Sequence, residues 1–429
     1  MAIATPAAMD VGPSDRPLRI AVVYGRSPLP MRRADQLTVA HLLTFLKARG
    51  HAVDLFAINS GGTPDEADVA WLNQTCRKVQ MFAHDRVNIA KGLARVPLSG
   101  LPFQVGLFTH DGQRAALEKA VDAGEYDIVY TYYFRSAEIT RAIAKKRTGV
   151  RPRTFLAMQL SQTLNTRRIA ENAPNWAYKQ FYSLESRLVA RYEAEIFRDF
   201  DRAVLIGKSD VAEINGTCER LGRPPIDNVV LCAHGVDVTR FRPRDDLPVV
   251  PGKLVFSGVM RTPTNVQAVQ WFVTNVWPLI RAEVPDATFD IAGREPSSDV
   301  LALGKVPGVT VLGTVPDTSV PIAQAAICIN SMQAGGGMQN KLIEYLGSGK
   351  PVVATSVANE GIGATDGEHL IVADEPADFA REVVALLRDP ARSAQLGQAA
   401  RRYIVENWTW EAHFLKLEQA FYQSLDEGA

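Results

Sequence analysis

The chain has 429 residues, of which 46% are hydrophobic and 22% charged, as in a soluble globular protein with two domains of ordinary size. Its net charge is zero, but residues 1–250 carry +7 and residues 251–429 carry −7. This imbalance excludes a dedicated nucleic-acid binder and fits an anionic partner or a membrane surface on the first domain. The four cysteines are isolated in sequence, which argues against a zinc site or a disulfide framework: Cys76, Cys218, Cys232 and Cys328.

The first 16 residues contain two prolines and no continuous apolar stretch, so we expect a disordered tail and not a signal peptide. No apolar run approaches the roughly 18 residues that span a bilayer. We therefore predict a cytoplasmic protein whose basic first domain would contact the inner face of the cytoplasmic membrane.

The hydrophobic pattern of the first half predicts strands separated by helices and loops, at 18–24, 52–57, 78–83, 127–131, 153–157, 203–206 and 228–232. The longest predicted helix covers residues 174–199. Its apolar residues recur at intervals of three and four, which favours a core face over a membrane-binding face: Phe181, Leu184, Leu188 and Tyr192. A basic cluster over residues 145–153 predicts a solvated surface, with a phosphate or lipid contact as the alternative.

A polar, proline-marked stretch at residues 241–248 predicts a domain boundary, after which the alternation restarts. Strands are expected at 254–256, 288–292, 309–312, 326–330, 351–354 and 370–372, and helices at 265–281, 376–388, 391–405 and 408–425. Such alternation predicts parallel sheets covered on both faces. We predict a first domain of residues 17–244 joined by the helix at 408–427, and a second domain of residues 245–407.

The most informative segment is the glycine loop Gly335, Gly336 and Gly337, which precedes a helix predicted from Met338 to Leu346. Without Cβ atoms the loop can approach a ligand closely, and free N–H groups at a helix N-terminus favour phosphate. Lys341 and Glu344 share one helix face, so the lysine could meet phosphates while the carboxylate binds a ribose about 10 Å from the loop. The alternative is a loop that merely joins a strand to a packed helix.

Several stretches resemble, in matching order, the GT-B glycosyltransferases of family 4, also called group 1, which are retaining enzymes that use nucleotide-sugar donors. The match covers most of residues 225–425, and its landmarks include Gly235-Val236-Asp237, Phe256 to Arg261, Pro263-Thr264-Asn265, Ile291-Ala292-Gly293, Val311 to Val315, and the glycine loop through Thr355. The resemblance implies an α/β fold of two doubly wound, Rossmann-like domains facing each other across a cleft. It also implies a C-terminal helix that crosses back to the first domain.

The resemblance further assigns the donor site to the second domain. It implies that Arg261 and Lys341 stabilise the phosphates, that Glu344 holds the ribose, and that no metal or other cofactor is needed. The remaining donor-binding residues that it implies are Gly258, Gly293, Val315, Gly335, Gly336, Gly337, Met338 and Gln339. Many members have a glutamate eight residues before the ribose-binding one, where this chain has Gly336. Recognition of the sugar would then pass to backbone N–H groups from Gly335 to Gln339.

In the first domain, Gly50-His51-Ala52-Val53 resembles the start of the family's second strand. Arg32, Arg33 and Asp35 follow a first loop that resembles an exopolysaccharide-associated subgroup, including transferases found beside exosortase systems. This implies that these three residues lie on the acceptor side, and that the acceptor is lipid-linked or a polysaccharide.

We therefore predict a retaining transferase that moves a sugar from a UDP- or GDP-sugar to such an acceptor. A non-catalytic relative that binds nucleotide sugars is the alternative, because the first glutamate is missing. A nicotinamide dehydrogenase is disfavoured, since no G-x-G-x-x-G follows either domain's first strand. The Asp-x-Asp at Asp199 and Asp201 predicts exposed carboxylates at a helix end and not a metal site.

Overall fold

The computed structural model describes residues 16–31, 33–60, 64–146, 151–158, 160–171, 175–334 and 338–427. The tail predicted for residues 1–16 lies outside the described residues except for Arg16. The chain forms two compact units, one containing the described residues up to Ala233 and from His413 onward, the other His234–Ala412. Residues 234–244 were predicted for the first domain but belong to the second unit, because Val236 and Phe241 are buried in its core.

The first unit is built on a parallel sheet of seven strands in the order β3-β2-β1-β4-β5-β6-β7. The strands are β1 Arg19–Tyr24, β2 Ala52–Asn59, β3 Lys78–Ala83, β4 Ile128–Tyr132, β5 Arg153–Ala157, β6 Arg202–Leu205 and β7 Val229–Leu231. The central strands are buried on both faces, as their almost continuous apolar runs predicted. The helices are α1 Ala34–Ala48, α2 Glu66–Thr75, α3 Arg86–Ser99, α4 Phe103–Phe108, α5 Asp111–Asp122, α6 Ala137–Lys145, α7 Gln162–Glu171, α8 Trp176–Asp199 and α9 Lys208–Arg220.

The second unit has a parallel sheet of six strands in the order β10-β9-β8-β11-β12-β13. Its strands are β8 Lys253–Ser257, β9 Thr288–Ala292, β10 Val309–Gly313, β11 Ile327–Asn330, β12 Val352–Ala354 and β13 Ile371–Val372. The helices are α10 Pro263–Trp271, α11 Trp277–Glu283, α12 Ser298–Leu303, α13 Ser319–Gln324, α14 Asn340–Gly347, α15 Ser356–Asn359, α16 Pro376–Arg388 and α17 Pro390–Asn407. The single helix predicted at 265–281 is interrupted by a π-helical segment, Phe272–Val276. Pro278 at the start of α11 has no N–H to continue the α-helical bonding.

The last helix, α18 Trp410–Asp426, returns to the first unit. Its Glu418 carboxylate accepts a hydrogen bond from Arg49 Nε at 2.9 Å and lies 2.7 Å from His51 Nε2. The Phe421 ring packs edge-on against Phe155, with 4.8 Å between ring centroids. The predicted return of the C-terminal helix to the first domain is therefore confirmed.

In each unit the order of strands reverses once, between β1 and β4 and between β8 and β11. The helices that leave the two neighbouring strands there go to opposite faces of the sheet, which opens a crevice at the carboxyl ends of those strands. Doubly wound proteins bind ligands in such crevices. The fold thus identifies one region in each unit where a ligand site is expected.

Candidate functional site

A pocket of about 590 Å³ lies in the second unit at the carboxyl ends of its strands. Gly258 follows β8, Gly293 follows β9, Val315 lies beyond β10 and Met332 lies beyond β11. The pocket therefore spans the point where the strand order reverses. All of its walls belong to the second unit.

Two glycines allow the loops after β8 and β9 to meet at the pocket. Gly293 has a φ of +155°, and a Cβ there would lie 1.6 Å from the carbonyl oxygen of Gly258. A Cβ on Gly258 would lie 2.8 Å from Asn265 Nδ2. Because both contacts are too short for real atoms, these positions need glycine for the backbones and Asn265 to keep their places.

The Lys341 side chain is buried in the pocket wall. Its Nζ donates a hydrogen bond to Asn265 Oδ1 at 2.6 Å and lies 4.1 Å from the centre of the Phe256 ring. Asn265 Nδ2 in turn donates to the carbonyl oxygen of Val259 at 3.0 Å, which fixes the orientation of the amide. Burial lowers the pKa of Lys341 to about 7, and the nearby Glu344 only partly offsets this. The lysine is therefore poised between amine and ammonium near neutral pH.

Glu344 is half-buried and lines the same pocket, one turn beyond Lys341 on α14. Burial raises its pKa to about 7, against the opposing effects of Arg240 and Lys341. Arg240 also lines the pocket, and its Nη2 donates to Asp317 Oδ1 at 2.9 Å. The pocket wall thus holds a basic side chain and a carboxyl group whose pKa values are both moved to about 7.

Helix α14 presents its N-terminus to the pocket, since Gln339 and Asn340 line the wall. The helix begins at Asn340, two residues later than predicted, so Met338 and Gln339 separate it from the glycine loop. No side-chain bond caps this end among the described residues, and the positive end of the helix dipole faces the pocket wall. Gly335, Gly336 and Gly337 lie outside the described residues, and their predicted contact with phosphate stays a prediction.

The structure brings together most of the predicted donor-site residues: Gly258, Gly293, Val315, Met338, Gln339, Lys341 and Glu344. Arg261 is not part of this wall. Its side chain is 72% exposed and Nε lies 2.7 Å from Glu295 Oε2. Its assigned role at the phosphates stays a prediction, as do the roles of the others.

The pocket wall also contains residues that were not predicted to bind the donor, among them Arg240, Asn265 and Arg294. Arg240 lies just beyond the Gly-Val-Asp stretch, and Asn265 lies in a segment that resembles the family's donor domain but was given no role. Arg294 directly follows Gly293, and this adjacency was the signal that could have identified it.

On the first unit, Arg32 lies outside the described residues and Arg33 is exposed before α1. Asp35 accepts hydrogen bonds from Tyr24 Oη at 2.7 Å and from Arg26 Nη1 at 3.2 Å, beside the end of β1. The three residues' acceptor-side role stays a prediction. Tyr133, which follows β4 at the point of strand reversal, has a φ of +75°, a strained conformation for an aromatic residue and one that the sequence did not indicate.

The Asp-x-Asp carboxylates are held by arginines. Asp199 Oδ2 accepts from Arg141 Nε at 2.7 Å, and Asp201 Oδ2 accepts from Arg151 Nη1 at 2.7 Å. Within the described ranges no three His, Cys, Asp or Glu side chains form a group that could hold a metal ion. Whether the protein needs a metal or cofactor is not tested by this, and the expectation that it needs none stays a prediction.

No helix in the described part of the chain combines the length and the hydrophobicity needed to cross a bilayer. The four cysteines are free thiols, and all but the half-buried Cys232 are buried.

Comparison with known proteins identifies the family of one region of the chain. Residues 251–389 match the model described as glycosyl transferases group 1. A Klebsiella pneumoniae relative, described as an uncharacterized 44.6 kDa protein in the cps region, is 24% identical over 91% of this chain and 96% of its own length. The D-inositol 3-phosphate glycosyltransferase of Salinispora tropica is 25% identical over 73% of this chain and 68% of its own length.

Solved structures share the fold at low identity. Sucrose-phosphate synthase from Thermosynechococcus elongatus is 17% identical, with a TM-score of 0.61 over 96% of this chain and 100% of its own. Anabaena Alr3699/HepE, solved in complex with UDP and glucose, is 13% identical, with a TM-score of 0.57 over 94% of this chain and 100% of its own. The predicted α/β GT-B fold class is thus confirmed. The chain is a glycosyltransferase, and its residues 251–389 form a domain of the group 1 glycosyltransferase family.

Proposed function

We propose that this glycosyltransferase takes a UDP- or GDP-sugar as donor and transfers the sugar, with retention of configuration, to a lipid-linked or polysaccharide acceptor. The observation that carries the donor assignment is the Lys341–Glu344 pair, which lies in the wall of a pocket at the strand reversal of the second unit. A nucleoside diphosphate needs a cation for its phosphates and an acceptor of hydrogen bonds for its ribose, and this pair offers both.

In the proposed reaction, the bond between the sugar's anomeric carbon and the diphosphate oxygen breaks, and the diphosphate leaves with the electron pair. Protonated Lys341 and the N-terminus of α14 stabilise the growing negative charge on that oxygen. The acceptor hydroxyl attacks the same face of the anomeric carbon and passes its proton to the departing diphosphate. Glu344 holds the ribose through its hydroxyl groups and takes no part in bond breaking.

The proposed acceptor class is supported by the relatives and by charge. The Klebsiella pneumoniae relative is described as lying in a cps region, and the Salinispora tropica relative is described as acting on D-inositol 3-phosphate. The net charge of +7 on residues 1–250 would attract a phosphate-bearing acceptor or an anionic membrane surface. We therefore place the reaction at the inner face of the cytoplasmic membrane.

The donor assignment is tested by a thermal-shift screen against UDP, GDP and their sugars, since a ligand that binds only the folded state raises its melting temperature. One nucleoside diphosphate should stabilise the protein. Glu344→Ala should then weaken its binding about 10- to 100-fold, because hydrogen bonds to charged groups contribute about 1.5–3 kcal/mol each. Glu344→Gln is the matched control, and it should lose less because its amide can still accept one bond. Unchanged affinity in Glu344→Ala for every nucleotide would refute the role given to this residue.

The enzyme is favoured over a non-catalytic relative because relatives with an assigned activity are transferases. Slow release of nucleoside diphosphate from the stabilising donor sugar, in the absence of acceptor, would support turnover. The anomeric configuration of the transferred sugar, read by NMR coupling constants in the product, tests retention: an inverted product would overturn that part of the proposal.

A further inference from the structure

The N-terminal turns of α8 carry large apolar side chains that face solvent. Four side chains, which we call the aromatic patch, are 76%, 42%, 43% and 47% exposed: Trp176, Tyr178, Phe181 and Leu184. The sequence predicted that Phe181 and Leu184 belong to a core face, and for them this prediction is wrong. The predicted stripe is buried only further along the helix, at Tyr192, because the first turns extend beyond the core that the rest of α8 covers.

The rings around the patch touch one another. Tyr182 lies between Tyr178 and Phe181, with ring centroids 4.6 and 5.3 Å away, and Phe103 of α4 lies 5.3 Å from Phe181. A contiguous apolar surface of this kind marks an interaction site, whereas single exposed apolar residues do not.

The charges on the same stretch of helix are sorted by sign. All residues from Trp176 to Ala194 are described, and the exposed charged side chains among them are bases: Lys179, Arg187 and Arg191. The two acids, Glu185 and Glu193, are 2% and 0% exposed. Glu185 accepts hydrogen bonds from the backbone N–H groups at the start of α4, and Glu193 does so at the start of α7.

The two arginines and part of the patch share one face of the helix. At 3.6 residues per turn, Trp176, Leu184, Arg187 and Arg191 fall within about 80° of arc. The aliphatic parts of the Arg187 and Arg191 side chains can lie along an apolar layer while their guanidinium groups reach phosphates at its surface. Exposed tryptophan and tyrosine are the residues enriched at the boundary between lipid and water.

We propose that the aromatic patch, with Lys179, Arg187 and Arg191, is a docking surface for an anionic phospholipid bilayer. Between Trp176 and Ala194, where every residue is described, no acid is exposed, and this favours an anionic surface; the protruding aromatic side chains favour one that they can enter. This inference rests on the membrane location given under the proposed function and names the surface that would dock there; because lipid binding requires neither donor nor acceptor, vesicle binding can fail while the donor assignment holds.

The test is flotation of the full-length protein with vesicles of phosphatidylcholine containing about 30% phosphatidylglycerol, compared with phosphatidylcholine alone. The wild type should bind the anionic vesicles, and binding should weaken strongly as salt rises from about 0.1 to about 0.5 M. Trp176→Glu should reduce the partition coefficient at least about 10-fold, since it removes an inserted ring and adds a repelled charge. Each side chain changed is exposed, so folding should be retained, and unchanged thermal stabilisation by nucleotide would verify this.

Two pairs of basic residues provide a matched comparison. The double variant Lys179→Ala, Arg187→Ala should lower the partition coefficient about 25-fold, because each base contributes a factor of about 5 at an anionic surface. The double variant Lys145→Ala, Lys146→Ala removes the same charge elsewhere on the first unit, where both lysines are paired with carboxylates. It should change the partition coefficient little. The proposal would be overturned if the two double variants lowered the partition coefficient equally. It would also be overturned if the wild type bound no vesicles, or bound neutral and anionic vesicles equally. Concentration-dependent dimerisation that Trp176→Glu abolishes would overturn it as well, because a second copy would then cover the patch.

Discussion

Binding of a nucleoside diphosphate should change the protonation of Lys341 and Glu344 in opposite directions, so the sign of the proton exchange should depend on pH. With a pKa of about 7, Lys341 is mostly the neutral amine at pH 8.5, whereas Glu344 is mostly ionised. A diphosphate beside Nζ favours the ammonium form and raises the pKa of the lysine. Binding at pH 8.5 should therefore take up close to one proton.

At pH 6 the same pair behaves in the opposite way. Lys341 is then mostly protonated before binding, and so is Glu344. Ribose hydroxyl groups that donate to the carboxylate favour its ionised form and lower its pKa. Binding at pH 6 should therefore release a large part of one proton.

The measurement is titration calorimetry with the UDP- or GDP-sugar, whose diphosphate is esterified at both ends and does not itself titrate between pH 6 and pH 8.5, in buffers of different ionisation enthalpy, where the slope of the observed enthalpy counts protons. Lys341→Met should abolish the uptake at pH 8.5 and keep the release at pH 6, whereas Glu344→Gln should abolish only the release. A slope of zero at pH 8.5 with nucleotide bound, or uptake that persists in Lys341→Met, would show that the lysine does not meet the phosphates.

Three further changes have outcomes that follow from the contacts. Gly293→Ala should lower the free energy of unfolding by about 3 kcal/mol or more, because the new Cβ would overlap the carbonyl oxygen of Gly258. Glu418→Gln should cost about 3 kcal/mol at pH 7 in denaturant unfolding, since it leaves the buried Arg49 guanidinium without its carboxylate. Arg294→Ala should weaken binding of the nucleoside diphosphate about 3- to 10-fold. Arg261→Ala should weaken it less, because Arg294 lines the pocket and Arg261 does not.

The loss of stability in Glu418→Gln should depend on pH, in a direction that the pKa of Glu418 determines. Burial opposes ionisation of Glu418, but hydrogen bonds from His51 and Arg49 outweigh it and lower its pKa below the ordinary value. A carboxyl group whose pKa is lowered by folding stabilises the folded state at pH values above its unfolded-state pKa. That stabilisation is lost as the pH falls through its folded-state pKa. The difference between wild type and Glu418→Gln should therefore shrink in acid, and a constant difference would contradict the assignment.

Control variants separate these effects from general loss of stability. Gly216→Ala in α9 adds a Cβ whose nearest neighbour is 3.6 Å away, so its melting temperature should not fall. Glu195→Gln removes an exposed partner of Arg223 and should cost less than about 1 kcal/mol. A loss in Gly216→Ala as large as that in Gly293→Ala would refute the argument from close approach.

The sequence by itself determined the alternation of strands and helices, the parallel sheets and the loops that carry Gly258 and Gly293. These features depend on local patterns, since a strand buried on both faces must be apolar along its length and a tight meeting of backbones excludes Cβ atoms. The order of the family motifs also predicted Lys341 and Glu344 as site residues. Both lie on one turn of α14 and line the pocket.

Only the tertiary structure decided which side chains are covered. Lys341 is buried because Phe256 and Asn265 close over it, and this burial lowers its pKa; neither residue is near it in sequence. The pattern along α8 predicted one continuous core face, yet Phe181 is 43% exposed because the elements that contact the first turns of that helix, such as α4 through Phe103, cover this side chain only in part. Burial depends on which other elements lie nearby, and a periodic sequence specifies the face of a helix without specifying how much of it is covered.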